Sequence, residues 1–300
     1  MSPVPYKYFH PDRVGKLTAL NLLARQAVEG FISGLHRSPH RGFSVEFTEH
    51  REYAPGDDLR HLDWVAWGRS DRYYVKQYEQ QTNLRAHILL DVSASMAYAH
   101  DAPLTKFSYG CFLAACLSYL MARQQDLVGV TAFDAQIRFH LPPGSTPAHL
   151  DRIFRRLESL APGGRTAIAP TFHELARRLA KRGLVIIISD LHDDPDEVFR
   201  ALQHLVYKKH QIILFHLLDE AELELPFRDV VTLVDMESDE RLQVDCRTVR
   251  DAYRREVQAF LDRYRRDCAE RRIEYVPATT ATPYDRMLLN YLARRRAFVK

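Results

Sequence analysis

The spacing of apolar residues changes along this chain, and the change divides it near residue 83. From Leu17 to Leu35 apolar residues recur at helical intervals, which predicts an amphipathic helix. Residues 43–47 alternate between apolar and polar side chains, as in a strand with one buried face. The segment that follows is dense in charged and aromatic residues and carries a turn signal at Pro55–Asp57. We therefore predict an N-terminal region, residues 1–82, made of a helix and a small β subdomain.

From residue 83 to residue 300, short apolar runs alternate with amphipathic helical segments. The predicted strands cover residues 86–90, 127–133, 137–141, 184–189, 212–217, 230–234 and 273–276. The predicted helices cover residues 106–122, 149–160, 171–181, 197–208, 249–271 and 284–295. Apolar strands that are separated by helices are typical of a mostly parallel sheet covered on both faces. The predicted fold class is therefore α/β, with a doubly wound, Rossmann-like sheet.

Oxygen-bearing side chains follow the first strand of this second region. Asp91, Ser93 and Ser95 form the pattern Asp-x-Ser-x-Ser directly after the apolar run 86–90. Open α/β sheets bind ligands at the carboxyl ends of their strands, and a carboxylate with two hydroxyls suits a hard cation such as Mg²⁺. Taken alone, the pattern also fits a helix N-cap, and both interpretations stay open at this point.

Two later features predict side chains at the same edge of the sheet. Thr166 ends a glycine-rich loop that begins at Pro162, and Asp190 directly follows the most apolar strand. Together with the Asp-x-Ser-x-Ser loop they make a plausible coordination set. A carboxylate of the next loop, such as Asp193, is an alternative ligand, whereas we interpret His192 as a solvated loop residue.

This combination resembles the metal-ion-dependent adhesion site of the von Willebrand factor A domain, and the resemblance covers the chain from about residue 83 onward. It implies that Mg²⁺, or Mn²⁺ or Ca²⁺ in its place, is bound without catalysis. It also implies that an acidic side chain of a partner fills an open coordination position, so that binding is lost with a chelator. The implied metal ligands are Asp91, Ser93, Ser95, Thr166 and Asp190.

The charged and aromatic segment between residues 51 and 69 has two interpretations. Paired charges around a turn and an aromatic residue commonly brace a small subdomain, and we prefer this structural interpretation. Arg, Tyr and Trp are also enriched at binding hot spots, which makes the segment a possible docking surface. The residues of that surface are Arg51, Tyr53, Asp57, Asp58, Arg60, Asp63, Trp64 and Arg69.

The same segment carries a second resemblance. The string R-x-Y-x-P-G-D-D-x-R-x-x-D-W, together with Gly42, Glu46 and Phe47, stands just before the Asp-x-Ser-x-Ser strand. It closely resembles the bacterial family called domain of unknown function 58, over most of the chain. Members of that family are typically associated with MoxR-type AAA+ ATPases, which are thought to remodel or mature client proteins. The resemblance therefore implies an adaptor that works beside such an ATPase, with an acidic group of a client as ligand.

Composition limits the cellular setting and the kinds of partner. The net charge is +3 and the basic residues are interspersed with acidic ones, so we expect no nucleic-acid partner. No apolar run approaches the ~20 residues that span a bilayer, and we expect no direct membrane insertion. Cysteines without a paired motif suit a reducing compartment, which favours a cytoplasmic location. We interpret Cys111, Cys116, Cys246 and Cys268 as lone buried thiols.

Enzymatic interpretations have weaker support. No Walker A string, G-x-G-x-x-G or G-x-S-x-G motif is present. A metal-dependent hydrolase that uses Asp91, Asp190 and Asp193 is the strongest enzyme alternative. A scaffold whose site holds no metal is a third possibility. We therefore predict a non-enzymatic, metal-dependent protein-interaction adaptor.

Overall fold

The computed structural model describes residues 45–53, 63, 67–68, 73–80, 84–179, 181–284, 286–288 and 290–291. These residues belong to two compact units, which divide between residues 83 and 84. The predicted helix at 17–35 and the turn at Pro55–Asp57 lie outside the described residues.

The first unit contains two antiparallel strands, β1 (Val45–Glu52) and β2 (Tyr74–Gln80). The strand predicted at 43–47 overlaps β1, whereas β2 was not predicted because its residues lie in the charged segment. A register irregularity interrupts the pairing between Phe47 and Glu49. The backbone N–H of Asp63 donates to the Tyr74 carbonyl at 2.8 Å, so Asp63 lies beside the start of β2.

The second unit is built on a six-stranded sheet of order β10-β7-β6-β3-β4-β5. Every neighbouring pair is parallel except β4 and β5, so the predicted α/β class and mostly parallel sheet are confirmed. The strands are β3 (Arg85–Asp91), β4 (Leu127–Phe133), β5 (Ile137–Gly144), β6 (Leu184–Ser189), β7 (Gln211–Leu218) and β10 (Glu274–Thr279). The helices are α1 (Lys106–Arg123), α2 (Pro147–Glu158), α3 (Ile168–Arg178), α4 (Pro195–Tyr207), α5 (Glu220–Glu224) and α6 (Cys246–Glu270).

Two apolar layers cover the two faces of this sheet. Helices α1 and α2 pack on one face together with the C-terminal residues 284–291 that the structure describes, whereas α3, α4 and α6 pack on the other. The central strands β3 and β6 are buried almost throughout, which explains why continuous apolar runs predicted them. All four cysteines are buried and free, as the sequence indicated.

Local signals explain where the helices begin. The Thr105 hydroxyl accepts the Ser108 N–H at 3.1 Å at the start of α1, and Asp245 caps α6 in the same way. Thr146 and Asp194 cap α2 and α4, and a proline follows each of them at the first helical position. Helix α1 begins at the predicted residue, whereas α2, α4 and α6 begin two or three residues before the predicted ones.

Three differences from the predicted elements have physical reasons. Strand β5 continues through Pro142 and Pro143, which an edge strand tolerates because one row of its N–H groups is unpaired. Helix α3 begins before Pro170, because the first turn of a helix needs no donor there. The predicted strand at 230–234 is present as β8 (Val230–Val234), but it pairs outside the main sheet with the unpredicted β9 (Arg241–Asp245).

Within the described ranges, no helix combines the length and the apolar character that crossing a bilayer requires.

Candidate metal centre

The two predicted carboxylates lie on neighbouring strands at the carboxyl edge of the main sheet. Asp91 is the last residue of β3, and Asp190 directly follows β6. These strands run parallel, with Leu90 opposite Ile188, so the two aspartates leave the sheet side by side. Both side chains are fully buried. The chain crosses from one side of β3 to the other between β5 and β6, so this edge is also the point where strand order reverses.

The loop after β3 turns back on the Asp91 carboxylate. The Ser93 N–H donates to Asp91 Oδ1 at 2.9 Å, and the Ser189 hydroxyl donates to Asp91 Oδ2 at 2.6 Å. The hydroxyl oxygens of Ser93 and Ser95 lie 3.0 Å apart. Asp91, Ser93 and Ser95 therefore form one local cluster of oxygen atoms, and the Ser95 hydroxyl also stabilises the Asp190 carboxylate.

Burial and mutual repulsion make these carboxylates costly to keep charged. Burial, followed by the neighbouring Asp190 charge, raises the pKa of Asp91 to about 7. Burial alone would also raise the pKa of Asp190, but its ion pair with Lys106 lowers that pKa overall. A cation placed between two such groups would relieve the repulsion.

A lysine supplies part of that positive charge. Lys106, at the start of α1, is fully buried, and its Nζ donates to Asp190 Oδ2 at 2.8 Å. The same ammonium contacts Glu222 Oε1 in α5. Although burial lowers the pKa of Lys106, the charges of Asp190 and Glu222 raise it overall. The lysine is therefore a permanent cation at one side of the carboxylate pair.

One oxygen of the pair has no hydrogen-bond partner among the residues that the structure describes. Asp190 Oδ1 is buried and accepts no hydrogen bond, which is unusual because buried polar atoms are nearly always paired. An orphaned carboxylate oxygen beside a second carboxylate and two hydroxyls is a donor set that fits a hard divalent cation. In the described part of the chain, no three His, Cys, Asp or Glu side chains gather as a metal site. The donor set is thus two carboxylates and two hydroxyls, and Lys106 offsets one charge.

The side chain of Thr166 has a hydrogen-bond partner outside this cluster, although the loop of Thr166 is hydrogen-bonded to the Asp-x-Ser-x-Ser loop. The Gly163 N–H donates to the Val92 carbonyl at 2.8 Å, and the Ala94 N–H donates to the Gly164 carbonyl at 2.9 Å. The Thr166 side chain does not complete the cluster; its hydroxyl donates to Glu237 Oε1 at 2.5 Å. The structure therefore brings the loop of Thr166 to the site but gives its hydroxyl to another carboxylate.

The loop after Asp190 has a mainly structural role. Asp193 Oδ2 accepts the Ile168 N–H at 2.8 Å and Oδ1 accepts the Asp194 N–H, so this carboxylate anchors the start of α3. His192 Nδ1 lies 3.9 Å from Asp190 Oδ2, and its side chain is half-exposed. Neither residue is a direct substitute for the carboxylates of the cluster.

The candidate docking residues belong to the other unit. Asp63 is buried, and the ring centroid of Tyr53 lies 6.4 Å from that of Tyr73. Arg51 lies in β1. The remaining residues of the predicted surface, Asp57, Asp58, Arg60, Trp64 and Arg69, lie outside the described residues.

Sequence reasoning missed several residues that surround the site. Lys106 gave a signal, because a lysine in the first turn of a helix opposes the helix dipole and so calls for another partner. Asp219 also gave one, since it follows β7 at the same edge; it accepts the Thr280 hydroxyl at 3.0 Å. The sequence carries no signal for Glu222 and Glu237, because they lie far from the Asp-x-Ser-x-Ser motif along the chain.

Comparison with known proteins identifies the family. The model of the family described as "Protein of unknown function DUF58" matches residues 49–262. Uncharacterized proteins of Mycobacterium bovis and Mycobacterium tuberculosis are 28% identical to this chain over 231 residues, which cover 76% of the chain and 72% of each relative.

Two of the solved structures that this chain matches come from Bacteroides species. The conserved hypothetical protein BatB of Bacteroides thetaiotaomicron is 15% identical, with a TM-score of 0.46 over 72% of this chain and 100% of that one. An aerotolerance-related membrane protein of Bacteroides fragilis is 17% identical, with a TM-score of 0.45 over 71% of this chain and 100% of that one. The family match spans both units and the Asp-x-Ser-x-Ser loop, and on that basis the chain belongs to the DUF58 family.

Proposed function

We propose that this protein is a non-enzymatic adaptor whose second unit is a von Willebrand factor A-like domain that binds a divalent metal, with Mg²⁺ as the first choice and Mn²⁺ or Ca²⁺ as alternatives. The observation that carries the proposal is the buried, unpartnered Asp190 Oδ1, which stands beside Asp91 and the Ser93–Ser95 hydroxyl pair. These oxygens would hold the ion. The bound ion would supply an electrophilic position for an acidic group of a partner.

The donor set favours binding over hydrolysis. Few protein ligands and an open position suit Mg²⁺, which retains several waters. The third carboxylate of the hydrolase alternative, Asp193, is instead used to anchor the start of α3. Ser93 and Ser95 hydrogen-bond to each other, and no histidine is among their hydrogen-bond partners in the described contacts.

The partner is inferred from the family and from the site together. Members of the DUF58 family are typically associated with MoxR-type AAA+ ATPases, and we propose that the cognate ATPase is the working partner here. The client would contribute the acidic group. Remodelling or maturation of that client is the process in which the adaptor would act, and we expect this to occur in the cytoplasm.

A titration of Mg²⁺ into the purified protein tests the metal. We expect wild type to bind one ion and Asp91→Asn, which keeps the size of the side chain but removes its charge, to lose at least about tenfold in affinity, or ~1.4 kcal/mol. Asp251→Asn, which changes an exposed aspartate of α6, is the matched control. Absence of saturable binding by wild type would contradict the metal hypothesis.

A pull-down with the purified cognate MoxR-type ATPase tests the adaptor role. We expect the protein to retain the ATPase in Mg²⁺ and to release it in EDTA, and Asp91→Asn to retain little in either buffer. Equal retention by wild type and Asp91→Asn would contradict a role for the metal.

A second candidate, a scaffold that functions without metal, is favoured by Lys106. Its ammonium already neutralises one charge of the carboxylate pair and is itself held by Glu222. If the scaffold is correct, wild type retains the ATPase equally in Mg²⁺ and in EDTA, and Lys106→Met disrupts the complex. That pattern separates the two candidates.

A further inference from the structure

A carboxylate of the protein itself contacts the backbone and side chain of Thr166. Glu237 lies in the loop that joins β8 to β9, 71 residues along the chain from Thr166. Its Oε2 accepts the Thr166 N–H at 2.8 Å, and its Oε1 accepts the Thr166 hydroxyl at 2.5 Å. Paired hydrogen bonds of this kind hold a carboxylate in one orientation. Thr166 therefore presents a ready-made carboxylate-binding position, and Glu237 fills it.

The hairpin loop is built to present this side chain. Asp235 Oδ1 accepts the N–H groups of Glu237 at 2.7 Å and of Ser238 at 3.2 Å, which closes a tight turn. The backbone N–H of Asp239 donates to the Asp235 carbonyl at 3.0 Å. The loop conformation is thus fixed largely by its own hydrogen bonds, and the Glu237 carbonyl also accepts the Arg165 Nε–H at 3.5 Å.

The same loop is joined to the candidate metal centre through the loop of Thr166. The chain segment of Thr166 is hydrogen-bonded to the segment of the Asp-x-Ser-x-Ser motif through Gly163 and Gly164. The hairpin tip is therefore linked, through Thr166, to the loop that carries Ser93 and Ser95.

The rest of the hairpin is weakly held. Leu233 and Leu242 are opposite each other in the ribbon and are 36% and 64% exposed, and Val230 is 55% exposed. A two-stranded ribbon has little stability of its own in water. Its base is fixed where Arg247 contacts Asp229 at 2.7 Å and the Arg228 carbonyl. Loss of the Glu237 carboxylate contacts at the tip would leave the ribbon held at its base and by the long hydrogen bond from Arg165 Nε to the Glu237 carbonyl.

We propose that Glu237 is an internal ligand that closes the acid-binding position at Thr166 until a carboxylate of the partner displaces it. This inference rests on the proposed function, since it names the chemistry of the partner group and the step that controls its access. The partner group is a side-chain or terminal carboxylate that accepts both hydrogen bonds of Thr166. Displacement releases the hairpin tip and its apolar side chains.

The expected size of the effect follows from competition. When an internal group fills a site for all but one tenth of the time, the apparent affinity of an external ligand falls about tenfold. Removal of Glu237 should therefore tighten carboxylate binding by about that factor, whereas removal of a neighbouring charge should not. Glu240 provides that comparison, because it is an exposed glutamate of the same loop.

The experiment uses the full chain in saturating Mg²⁺ and two peptides with acetylated N-termini and amidated C-termini, Gly-Gly-Glu-Gly-Gly and Gly-Gly-Gln-Gly-Gly, so that only the first carries a carboxylate. The Thr166 amide resonance in a nitrogen-15 NMR titration reports binding, even when binding is weak. We expect Glu237→Ala to bind the glutamate peptide about tenfold more tightly than wild type, and Glu240→Gln to behave as wild type. The glutamine peptide should bind to none of them.

Thermal unfolding measured in parallel verifies that each variant is folded. If Glu237→Ala is not folded, Glu237→Asp replaces it, because the aspartate side chain is one methylene too short to reach both donors of Thr166. Equal affinity of wild type and Glu237→Ala, with binding still lost in EDTA, would overturn the internal ligand while the proposed function stands. An equal gain in the affinity of Glu237→Ala for both peptides would also overturn the internal ligand, because binding at Thr166 would then not require a carboxylate. Absence of Mg²⁺-dependent binding by every variant would overturn the proposed function and the inference with it.

Discussion

Among the charged neighbours of Asp190, the buried ammonium of Lys106 lowers the pKa of that carboxylate most. It lies in the first turn of α1, where a positive charge opposes the helix dipole, so the helix itself gains nothing from it. Its favourable partners are Asp190 at 2.8 Å and Glu222. Removing one charge from a buried ion pair leaves its partner charged and without compensation. The resulting loss of folding free energy is larger than the stabilisation that the intact pair provides.

The variant Lys106→Met tests this balance. We expect it to lower the free energy of unfolding by about 3–5 kcal/mol in metal-free buffer, because Asp190 and Glu222 lose their counter-charge. We also expect Mg²⁺ to restore part of that loss, because a divalent ion can take over the neutralisation of Asp190. Urea unfolding with and without Mg²⁺ measures both effects.

The matched control for that variant is Lys181→Met, which removes an exposed lysine from the loop before β6. Its unfolding free energy should stay within about 0.5 kcal/mol of wild type, and Mg²⁺ should act on it as on wild type. If Mg²⁺ stabilises Lys106→Met no more than it stabilises Lys181→Met, the ion does not take over the neutralisation of Asp190 from Lys106.

Among the elements, the glycine-rich loop before α3 determines where Thr166 lies. Gly164 has a φ of 84°, a left-handed conformation that side chains other than glycine rarely adopt. A Cβ at this residue would also lie 2.6 Å from Asp134 Oδ2. At Gly163, by contrast, a Cβ would meet nothing within 4 Å. Two adjacent glycines therefore have different structural requirements.

The pair Gly164→Ala and Gly163→Ala tests the loop. We expect Gly164→Ala to lose about 1–3 kcal/mol of stability, because its backbone is strained and the Asp134 side chain must move. The loop should shift with it, so that the Thr166 amide exchanges with solvent faster. Gly163→Ala should be close to wild type in urea unfolding and in hydrogen exchange, and equal effects of the two substitutions would contradict this account.

At the scale of the whole molecule, buried histidines make stability depend on pH. Burial, with a further contribution from His210, lowers the pKa of His87 to about 4. Burial also lowers the pKa of His216, to about 3. In the unfolded chain such residues take up a proton near pH 6.5. Between that pH and about 4 the unfolded state binds more protons, so stability is present above pH 6.5 and is lost as the pH falls. The raised pKa of Asp91 acts in the opposite direction.

The difference between wild type and His87→Gln isolates one of these contributions. We expect the unfolding free energy of wild type to fall more steeply between pH 6.5 and 4, by up to about 1.4 kcal/mol per pH unit, because glutamine takes up no proton. Urea unfolding at half-unit steps of pH measures the slope. His204→Gln, which removes an exposed histidine, is the control. Parallel pH profiles of wild type and His87→Gln would show that His87 does not supply the acid sensitivity.

Much of the fold of the second unit could be predicted from the sequence. The strands at 127–133 and 184–189 have the predicted bounds, because residues buried on both faces of a sheet form continuous apolar runs. Strand β9 was missed because it is short and mostly exposed, and only two of its five residues, Leu242 and Val244, are apolar. The helix starts were displaced because caps and prolines, rather than apolar spacing, fix them.

The sequence by itself determined which strands end in oxygen-bearing side chains. Asp91 and Asp190 follow apolar runs, and parallel strands place their carboxyl ends at one edge. Only the tertiary structure decided how those oxygens are used, because that depends on residues distant in the chain. Lys106 reaches Asp190 across 84 positions, and Glu237 reaches Thr166 across 71. Such contacts arise from packing, which the local pattern of a sequence does not record.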